Sequence, residues 1–336
     1  MDNKLLLSIS PHVHKGESIS RIIWLVFFSL LPVGVAGIFI FGPRALWLIV
    51  ACIVTAIATE AIILLLRHKK VTIIDGSAAL TGLLLAYNLP SSLPIWMACV
   101  GSFFAIAVVK QAFGGLGRNI FNPALAARAF LLIAWSKYMV NFTQPICTWA
   151  GFTRPFAYPD SVTCATPLAL LKEGKAEGIY QMGINYLDLF LGNRPGCIGE
   201  VCIVLLLAGA LFLLWRKIIS WHIPLSFIFS LGLLTWFWGG SQIGKADVLL
   251  SLLSGGVVLG AFFMATDYVT SPLTRKGQLI FGFGCGLLTF IIRKWGGYPE
   301  GVSFAILMMN GAVPLLDRFC SPRIYGHLTR GRRHSV

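Results

Sequence analysis

The chain has 336 residues, of which 57% are hydrophobic and only 12% are charged, and its mean hydropathy is +0.79. An ordinary soluble domain has roughly 25% charged residues, so this composition excludes a water-soluble enzyme. In a soluble protein, the net charge of +14 would suggest a nucleic-acid partner. Here most lysines and arginines lie in short segments between apolar runs, so the charge indicates membrane topology and no nucleic acid is expected.

Apolar runs that could cross the roughly 30 Å hydrocarbon core recur along the whole sequence. Bounded by charge, glycine or proline, they lie near residues 22–41, 45–66, 76–89, 94–109, 122–136, 199–215, 222–238, 247–265, 278–292 and 301–317. The sequence therefore predicts an all-α membrane protein with about ten transmembrane helices.

The distribution of positive charge predicts the orientation of these helices. With the N-terminus inside, 17 of the 27 lysines and arginines fall in cytoplasmic segments and nine fall outside, while Arg128 lies within the fifth run. We therefore expect both termini in the cytoplasm and the long segment after the fifth run on the extracytoplasmic side. Arg293 and Lys294 go against this assignment.

The sequence also contains an internal repeat. A shift of 182 residues places Asn88-Leu89-Pro90 on Thr270-Ser271-Pro272 and Phe113-Gly114-Gly115 on Trp295-Gly296-Gly297. Because each half has five runs, the halves must be inverted relative to each other, as in many transport proteins; chance similarity between membrane segments is the alternative. The predicted parts are an N-terminal five-span repeat (1–140), a large extracytoplasmic loop (141–197), a C-terminal five-span repeat (198–320) and a basic cytoplasmic tail (321–336).

Two ionisable residues lie within apolar runs. Glu60 is in the second run and Arg128 is in the fifth, and such residues are functional candidates by default. The alternative is a structural ion pair or a position near an interface. The eight cysteines are scattered without metal-binding spacing, and no nucleophile set is visible, so neither a metal site nor a catalytic residue is predicted.

One stretch of the external loop, residues 160–172, contains a helix-start pattern. Thr166 followed by Pro167 is typical of an N-cap with proline at the first helical position. Free backbone N–H groups at a helix start would favour a phosphate on the Thr166 hydroxyl. By itself the pattern is common at ordinary helix starts and does not establish a modification site.

The same stretch fits a flavinylation signature. Asp160, Thr163, Ala165 and Thr166 match the pattern D-x-x-[ST]-x-A-T. Together with GGLGRNIFNPA (114–124) and ATDYVTSP (265–272), this signature makes the whole chain resemble the D subunits of Rnf electron-transport complexes, which are homologous to the B subunit of the sodium-pumping NADH:quinone oxidoreductase. Ser161 departs from the glycine or alanine that is common there, but it is small, and we expect modification to survive.

The resemblance implies a flavoprotein subunit of a redox-driven ion pump, which passes electrons between ferredoxin and NAD coupled to Na⁺ or H⁺ movement. It implies that a flavin transferase attaches FMN to Thr166 through a phosphoester bond, with Asp160 and Thr163 serving recognition by the transferase. The implied partners are other subunits of the complex and the lipid of a bacterial inner membrane.

A second, non-covalent flavin, riboflavin, is also implied by the resemblance. Asn119 and Asn122 follow the glycine-rich link on the predicted cytoplasmic side, and Asp267 follows the eighth run on the same side. Amide and carboxylate groups can hydrogen-bond the imide edge and ribityl hydroxyls of a flavin. The alternative for Asn122 is an N-cap of the fifth helix before Pro123.

Two other functions remain open from the sequence. Inverted repeats with broken helices also build solute channels and transporters, and a scaffold subunit could carry the signature without being modified. A covalently bound flavin distinguishes both from an electron carrier.

Overall fold

The computed structural model describes residues 18–69, 73–145, 147–148, 151–152, 163–164, 168, 172, 186–192, 194–200, 202–239, 247–298 and 300–320. Long uncharged aliphatic stretches become helices here, because a helix satisfies its own backbone polar groups in an apolar environment.

The N-terminal half consists of helices joined by short connections. The Ser18 hydroxyl caps the first helix by accepting from the Arg21 N–H, and Asn122 caps the fifth. The helices are α1 (Ile19–Phe41), α2 (Pro43–Leu66), α3 (Ser77–Tyr87), α4 (Ile95–Phe104), which continues as a π-helix (Ala105–Gln111), α5 (Pro123–Ala134) and α6 (Ser136–Met139), with a 3₁₀ turn at Ile73–Asp75.

The C-terminal half also consists mainly of helices. Asp247 and Thr274 cap two of its helices through their side chains. The helices are α7 (Tyr186–Leu191), α8 (Ile203–Trp215), α9 (His222–Trp238), α10 (Val248–Leu253), α11 (Val257–Leu259), which continues as a π-helix (Gly260–Met264), α12 (Arg275–Trp295) and α13 (Val302–Phe319).

Several of these helices have the length and composition of membrane spans. Within the described residues, four are long and apolar enough to cross a bilayer: α1, α2, α12 and α13. Shorter apolar helices accompany them at Ser77–Tyr87, Ile95–Gln111, Pro123–Ala134, Ile203–Trp215 and His222–Trp238. The predicted helical membrane protein is confirmed at this level.

At one end of the bundle, the start of α1 meets the connection between α2 and α3. The Ser20 hydroxyl and the Trp24 indole N–H both donate to the Ile74 carbonyl, at 3.3 and 3.1 Å. At the same end, Asp317 near the end of α13 accepts from the Leu273 N–H at 3.1 Å. We call this the cavity end; its described connections are residues 67–69, 73–76, 112–122, 216–221 and 265–274.

The opposite end, which we call the loop end, contains the start of α2 and residues 88–94, 135–145, 194–200, 202, 296–298 and 300–301. Arg44 at the start of α2 donates to the Ser92 carbonyl at 2.9 Å, and the Ser92 hydroxyl donates to the Asn141 carbonyl at 2.6 Å. The Ile198 N–H donates to the Leu89 carbonyl at 3.1 Å, so the segment before α8 packs against the end of α3.

Among the described residues, four two-residue strands form two small antiparallel ladders beyond the helices. They are β1 (Phe142–Thr143), β2 (Cys147–Thr148), β3 (Gly151–Phe152) and β4 (Thr163–Cys164). Strand β1 pairs with β4 and β2 pairs with β3, with Thr143 opposite Thr163 in the first ladder. The all-α expectation therefore holds for the bundle and not for residues 142–164, where the strands lie.

The eighth predicted run, 247–265, is broken rather than continuous. Helix α10 ends at Leu253, and α11 begins at Val257. Between them Ser254 is extended and Gly255 has φ +70°, a left-handed conformation that glycine adopts without steric cost. Apolar composition alone did not indicate this break, because glycine is frequent throughout the sequence.

Candidate functional site

A cavity of about 400 Å³ lies at the cavity end between α1, α3, the π-helix after α4, and the connections that follow it. Its walls are mostly aliphatic, from the first turns of α1 and from α3. All three residues predicted for a cytoplasmic flavin site line it: Asn119, Asn122 and Asp267. They come from connections far apart in sequence, and the fold brings them together.

Asn119 and Asn122 play different roles in this wall. The Asn122 side-chain oxygen accepts from the Ala124 and Leu125 N–H groups at 3.1 and 3.4 Å, and its amide donates to the Met264 carbonyl at 3.3 Å. Asn122 is thus the N-cap of α5, as the alternative interpretation had it. Asn119 donates to the Phe121 carbonyl at 3.2 Å, while its side-chain oxygen has no donor among the described residues.

Asp267 is the acidic residue of the cavity wall. Burial raises the pKa of its carboxyl, whereas hydrogen bonds from the Val269 N–H and the Thr270 hydroxyl oppose that shift; the hydroxyl lies 3.2 Å from the carboxylate oxygen. The side chain is therefore held in place without a cationic partner among the described residues, and it can interact with polar groups inside the cavity.

A buried ion pair forms part of the same wall. Lys110, which also lines the cavity, donates to Glu60 Oε1 and to the Ser77 hydroxyl, each at 2.7 Å. The Gln111 amide donates to the same Glu60 oxygen at 3.0 Å. Lys110 is one of the positive charges counted on the cytoplasmic side; it lies in the π-helix, and its side chain is buried.

At the loop end, Arg128 lies in a second buried cluster. It donates to the Asn88 side-chain oxygen at 2.8 Å, to Glu200 at 3.3 Å and to Glu300. It also donates to the Cys197 sulfur at 3.6 Å. Cys197, Glu200 and Glu300 lie close enough to share a metal ion, but the guanidinium of Arg128 already supplies the positive charge at their centre.

Glu60 and Arg128 are thus both in ion pairs, each with its own partners. The functional interpretation of an ionisable residue within an apolar run is not required for either side chain. What they do is fix the walls of the cavity and of the loop-end cluster, because removing one member would leave a buried charge unpaired.

Two further arginines surround that cluster. Arg194 donates to the Leu253 and Glu200 carbonyls at 2.5 and 2.8 Å. Arg293, in the last turn of α12, donates to the Ser251 and Ser254 carbonyls at 2.6 and 3.1 Å. Burial lowers the pKa of Arg194 to about 10, which leaves the guanidinium charged at neutral pH.

Within the flavinylation signature, only residues 163 and 164 are described. Thr163 lies in β4, where its backbone pairs with Thr143, and Asp160 and Thr166 lie outside the described residues. Leu168, two residues after Thr166, is buried, and its side chain is within contact distance of Gly255. Lys172 donates to the Gly296 carbonyl at the end of α12.

Comparison with known proteins identifies the family. Residues 6–326 match the model of the NQR2, RnfD, RnfE family. The chain belongs to this family.

Individual members match along nearly their whole length. The D subunit of the Na⁺-translocating ferredoxin:NAD⁺ oxidoreductase complex of Acetobacterium woodii is 48% identical over 325 residues, covering 96% of this chain and 95% of the relative. The D subunit of the proton-translocating ferredoxin:NAD⁺ oxidoreductase complex of Clostridium ljungdahlii is 46% identical, covering 96% and 97%. The D subunit of the ion-translocating oxidoreductase complex of Stutzerimonas stutzeri is 41% identical, covering 94% of each chain.

In this member of the family, sequence reasoning missed the partners that complete both clusters. Glu200 and Arg194 precede α8 without a motif, and Lys110 ends an apolar run in the manner of any flanking lysine. The one available signal was Arg293, since a charge that contradicts the positive-inside pattern needs a local explanation. Its contacts with three carbonyls provide that explanation.

Proposed function

We propose that this chain is the flavin-bearing membrane subunit of an ion-translocating oxidoreductase complex that passes electrons between ferredoxin and NAD. The observation that carries the proposal is the match to subunits of such complexes along 94 to 97% of their length. The name of the Acetobacterium relative specifies Na⁺ and that of the Clostridium relative specifies protons. The proposal therefore includes either ion as the coupling ion. The other subunits of such a complex would be its partners, within a bacterial inner membrane.

The proposed architecture is ten membrane crossings in two inverted repeats. The 182-residue shift carries α1 onto α8, α2 onto α9, and α5 onto α13. It also carries Asn88 onto Thr270 and Arg128 onto Asn310. Arg128 donates to Asn88 at the loop end, and Asn310, with its amide oriented to satisfy its neighbours, donates to the Thr270 carbonyl at 3.2 Å. Corresponding contacts at corresponding positions support the repeat.

We further propose that Thr166 carries FMN through a phosphoester bond on the extracytoplasmic side. A flavin can accept and donate electrons one or two at a time, and Thr166 would serve as its attachment point without acid or base chemistry. The support is the signature around Thr166 and the position of its neighbours, since Thr163, Leu168 and Lys172 all lie at or beside the loop end. Asp160 and Thr163 would serve recognition by the flavin transferase.

The cavity at the other end is our proposed riboflavin site. Its volume lies within the range of small-molecule pockets, which are mainly apolar with a few polar groups that fix orientation. Aliphatic residues of α1 and α3 would contact the ring system, while Asn119, Asp267 and Lys110 provide an acceptor, a carboxyl and N–H donors. Asn122 would shape the wall as a helix cap, so its direct contact with the ligand is not part of this proposal.

The proposal is tested by activity of the assembled complex. Membranes that lack this chain should not reduce NAD⁺ with reduced ferredoxin, and the wild-type gene should restore the reaction. Thr166→Ala should assemble with the other subunits, as checked by co-purification, and yet fail to restore it. Full activity of an assembled Thr166→Ala complex would contradict an electron-carrying role and leave a scaffold function.

A further inference from the structure

Arg194 is buried and Arg293 is partly buried, and the hydrogen-bond partners described for them are all uncharged. Their hydrogen bonds go to backbone carbonyls and to the Ser251 hydroxyl. Neither forms an ion pair with a carboxylate among the described residues, whereas Arg128 pairs with both Glu200 and Glu300. Charges removed from water are normally paired. Glu200 acts electrostatically on both arginines, but its carboxylate is already paired with Arg128.

Together with Arg194 and Arg293, the loop-end cluster carries a net positive charge. Its described ionised side chains are three arginines, Arg128, Arg194 and Arg293, and two glutamates, Glu200 and Glu300, which leaves one net positive charge. Lys172 adds another cation beside it, at the end of α12. The cluster can therefore accept a monoanion with a gain in electrostatic stability.

A hydrogen-bond donor without an acceptor lies next to Arg293. The Ser254 hydroxyl is completely buried, with 0% exposure, and has no hydrogen-bond partner among the described residues. The carbonyl of the same residue accepts from Arg293 at 3.1 Å. Such a hydroxyl is costly to bury, which is a second and independent indication that a ligand belongs here.

Leu168, which is close to Thr166 in sequence, lies at this position. A Cβ on Gly255 would lie 3.3 Å from both the Arg293 guanidinium and the Leu168 side chain, so Leu168 and Arg293 meet at this glycine. Leu168 follows Thr166 by only two positions, and each residue spans at most about 3.6 Å. A group attached to Thr166 is therefore within reach of the donors.

From these observations we infer that Arg194, Arg293 and Ser254 form an anion site that binds the phosphodiester of the flavin attached to Thr166. The inference rests on the proposed function, because it needs the attached flavin. A phosphodiester keeps one negative charge at neutral pH and has two unesterified oxygens, which suit guanidinium and hydroxyl donors. Binding makes and breaks no covalent bond; it pairs the excess charge and gives the Ser254 hydroxyl an acceptor.

The test is a double-mutant cycle on the thermal unfolding of the purified complex. In the flavinylated protein, Ser254→Ala removes a donor to the phosphate and should lower Tm by about 2 to 4 °C. In the Thr166→Ala background, the same change removes a hydroxyl that has no acceptor, so Tm should rise or stay constant. Ser102→Ala deletes another fully buried hydroxyl, in α4, and should shift Tm equally in both backgrounds.

An equal effect of Ser254→Ala in both backgrounds would overturn the inference. A lipid phosphate or an acidic side chain at this site would give that result, because neither depends on Thr166. Arg194→Gln provides a second cycle. The loss of its contacts with carbonyl groups is the same in both backgrounds and cancels, so the difference in Tm measures only its coupling to the attached group. In-gel flavin fluorescence of each protein distinguishes failure of this inference from failure of the proposed function. A wild-type chain without covalent flavin refutes the proposed function itself.

Discussion

Glu60 and Lys110 form a buried ion pair that joins α2 to the π-helix beside the cavity. We predict that Glu60→Gln lowers the free energy of unfolding by about 3 to 5 kcal/mol, because it leaves the Lys110 ammonium buried without its carboxylate. The double variant Glu60→Gln/Lys110→Gln should lose less than the single one. Unfolding of the purified protein in denaturant measures both; a single variant as stable as wild type would show that water reaches Lys110.

Asn119 and Asp267 test the cavity at the level of single side chains. Replacing either by leucine removes a polar group that we propose contacts riboflavin, so binding should weaken about tenfold or more. The measurement is the flavin extracted by acid from equal amounts of complex. Asp317→Leu is the control, since Asp317 lies at the same end but does not line the cavity. Unchanged extractable riboflavin in both variants, with the covalent flavin retained, would place the second flavin elsewhere or in a partner protein.

The side chains differ in how well sequence alone could predict them. The capping role of Asn122 follows from its position before Pro123, because N-caps depend on local sequence. Arg128 could be singled out as a buried charge, but its partners Glu200 and Glu300 are 72 and 172 residues away. Contacts over such separations depend on how helices pack, which local composition does not encode.

At the scale of elements, the break between α10 and α11 depends on Gly255. We predict that Gly255→Ala lowers the free energy of unfolding by about 1 to 2 kcal/mol, because a Cβ is disfavoured at its φ of +70° and would press on Arg293 and Leu168. Gly297→Ala is the matched control at the same end, where a Cβ meets nothing within 4 Å. Equal stability of the two variants would contradict this account.

Most helices could be predicted from apolar runs, and α9 agrees with its prediction at both bounds, His222 and Trp238. The break in the eighth run could not be predicted, because hydrophobicity does not distinguish a continuous helix from two short helices joined by an extended residue and a left-handed glycine. The π-helices after α4 and α11 could not be predicted either, since they arise from packing and have no composition of their own.

At the scale of the whole molecule, the described chain enters α1 and leaves α13 at the same end of the bundle. With the 17 to nine division of positive charge, we predict that this end faces the cytoplasm. A membrane-impermeant thiol reagent should label a cysteine introduced at Glu173 in intact cells, and one introduced at Ser335 only after permeabilisation. The unmodified chain, with its eight native cysteines, provides the background; reversed labelling would contradict the topology.

Arg293 shows how whole-molecule patterns and local contacts interact. As a positive charge on the predicted outer side, it counts against the assigned topology, yet its guanidinium is bound to carbonyls of residues 251, 254 and 300. These contacts give Arg293 a structural role at this end, so we infer the orientation from the remaining charges.

The central claim is that this family member carries its own covalent flavin on Thr166, and in-gel fluorescence of the separated chain tests it most directly. The wild-type chain should fluoresce as a flavin after denaturation in SDS, Thr166→Ala should be dark, and Thr163→Ala should at most be dimmer. Thr166→Ser, which keeps the hydroxyl, should retain some label. A wild-type chain without fluorescence, or a Thr166→Ala chain that keeps it, would contradict the claim.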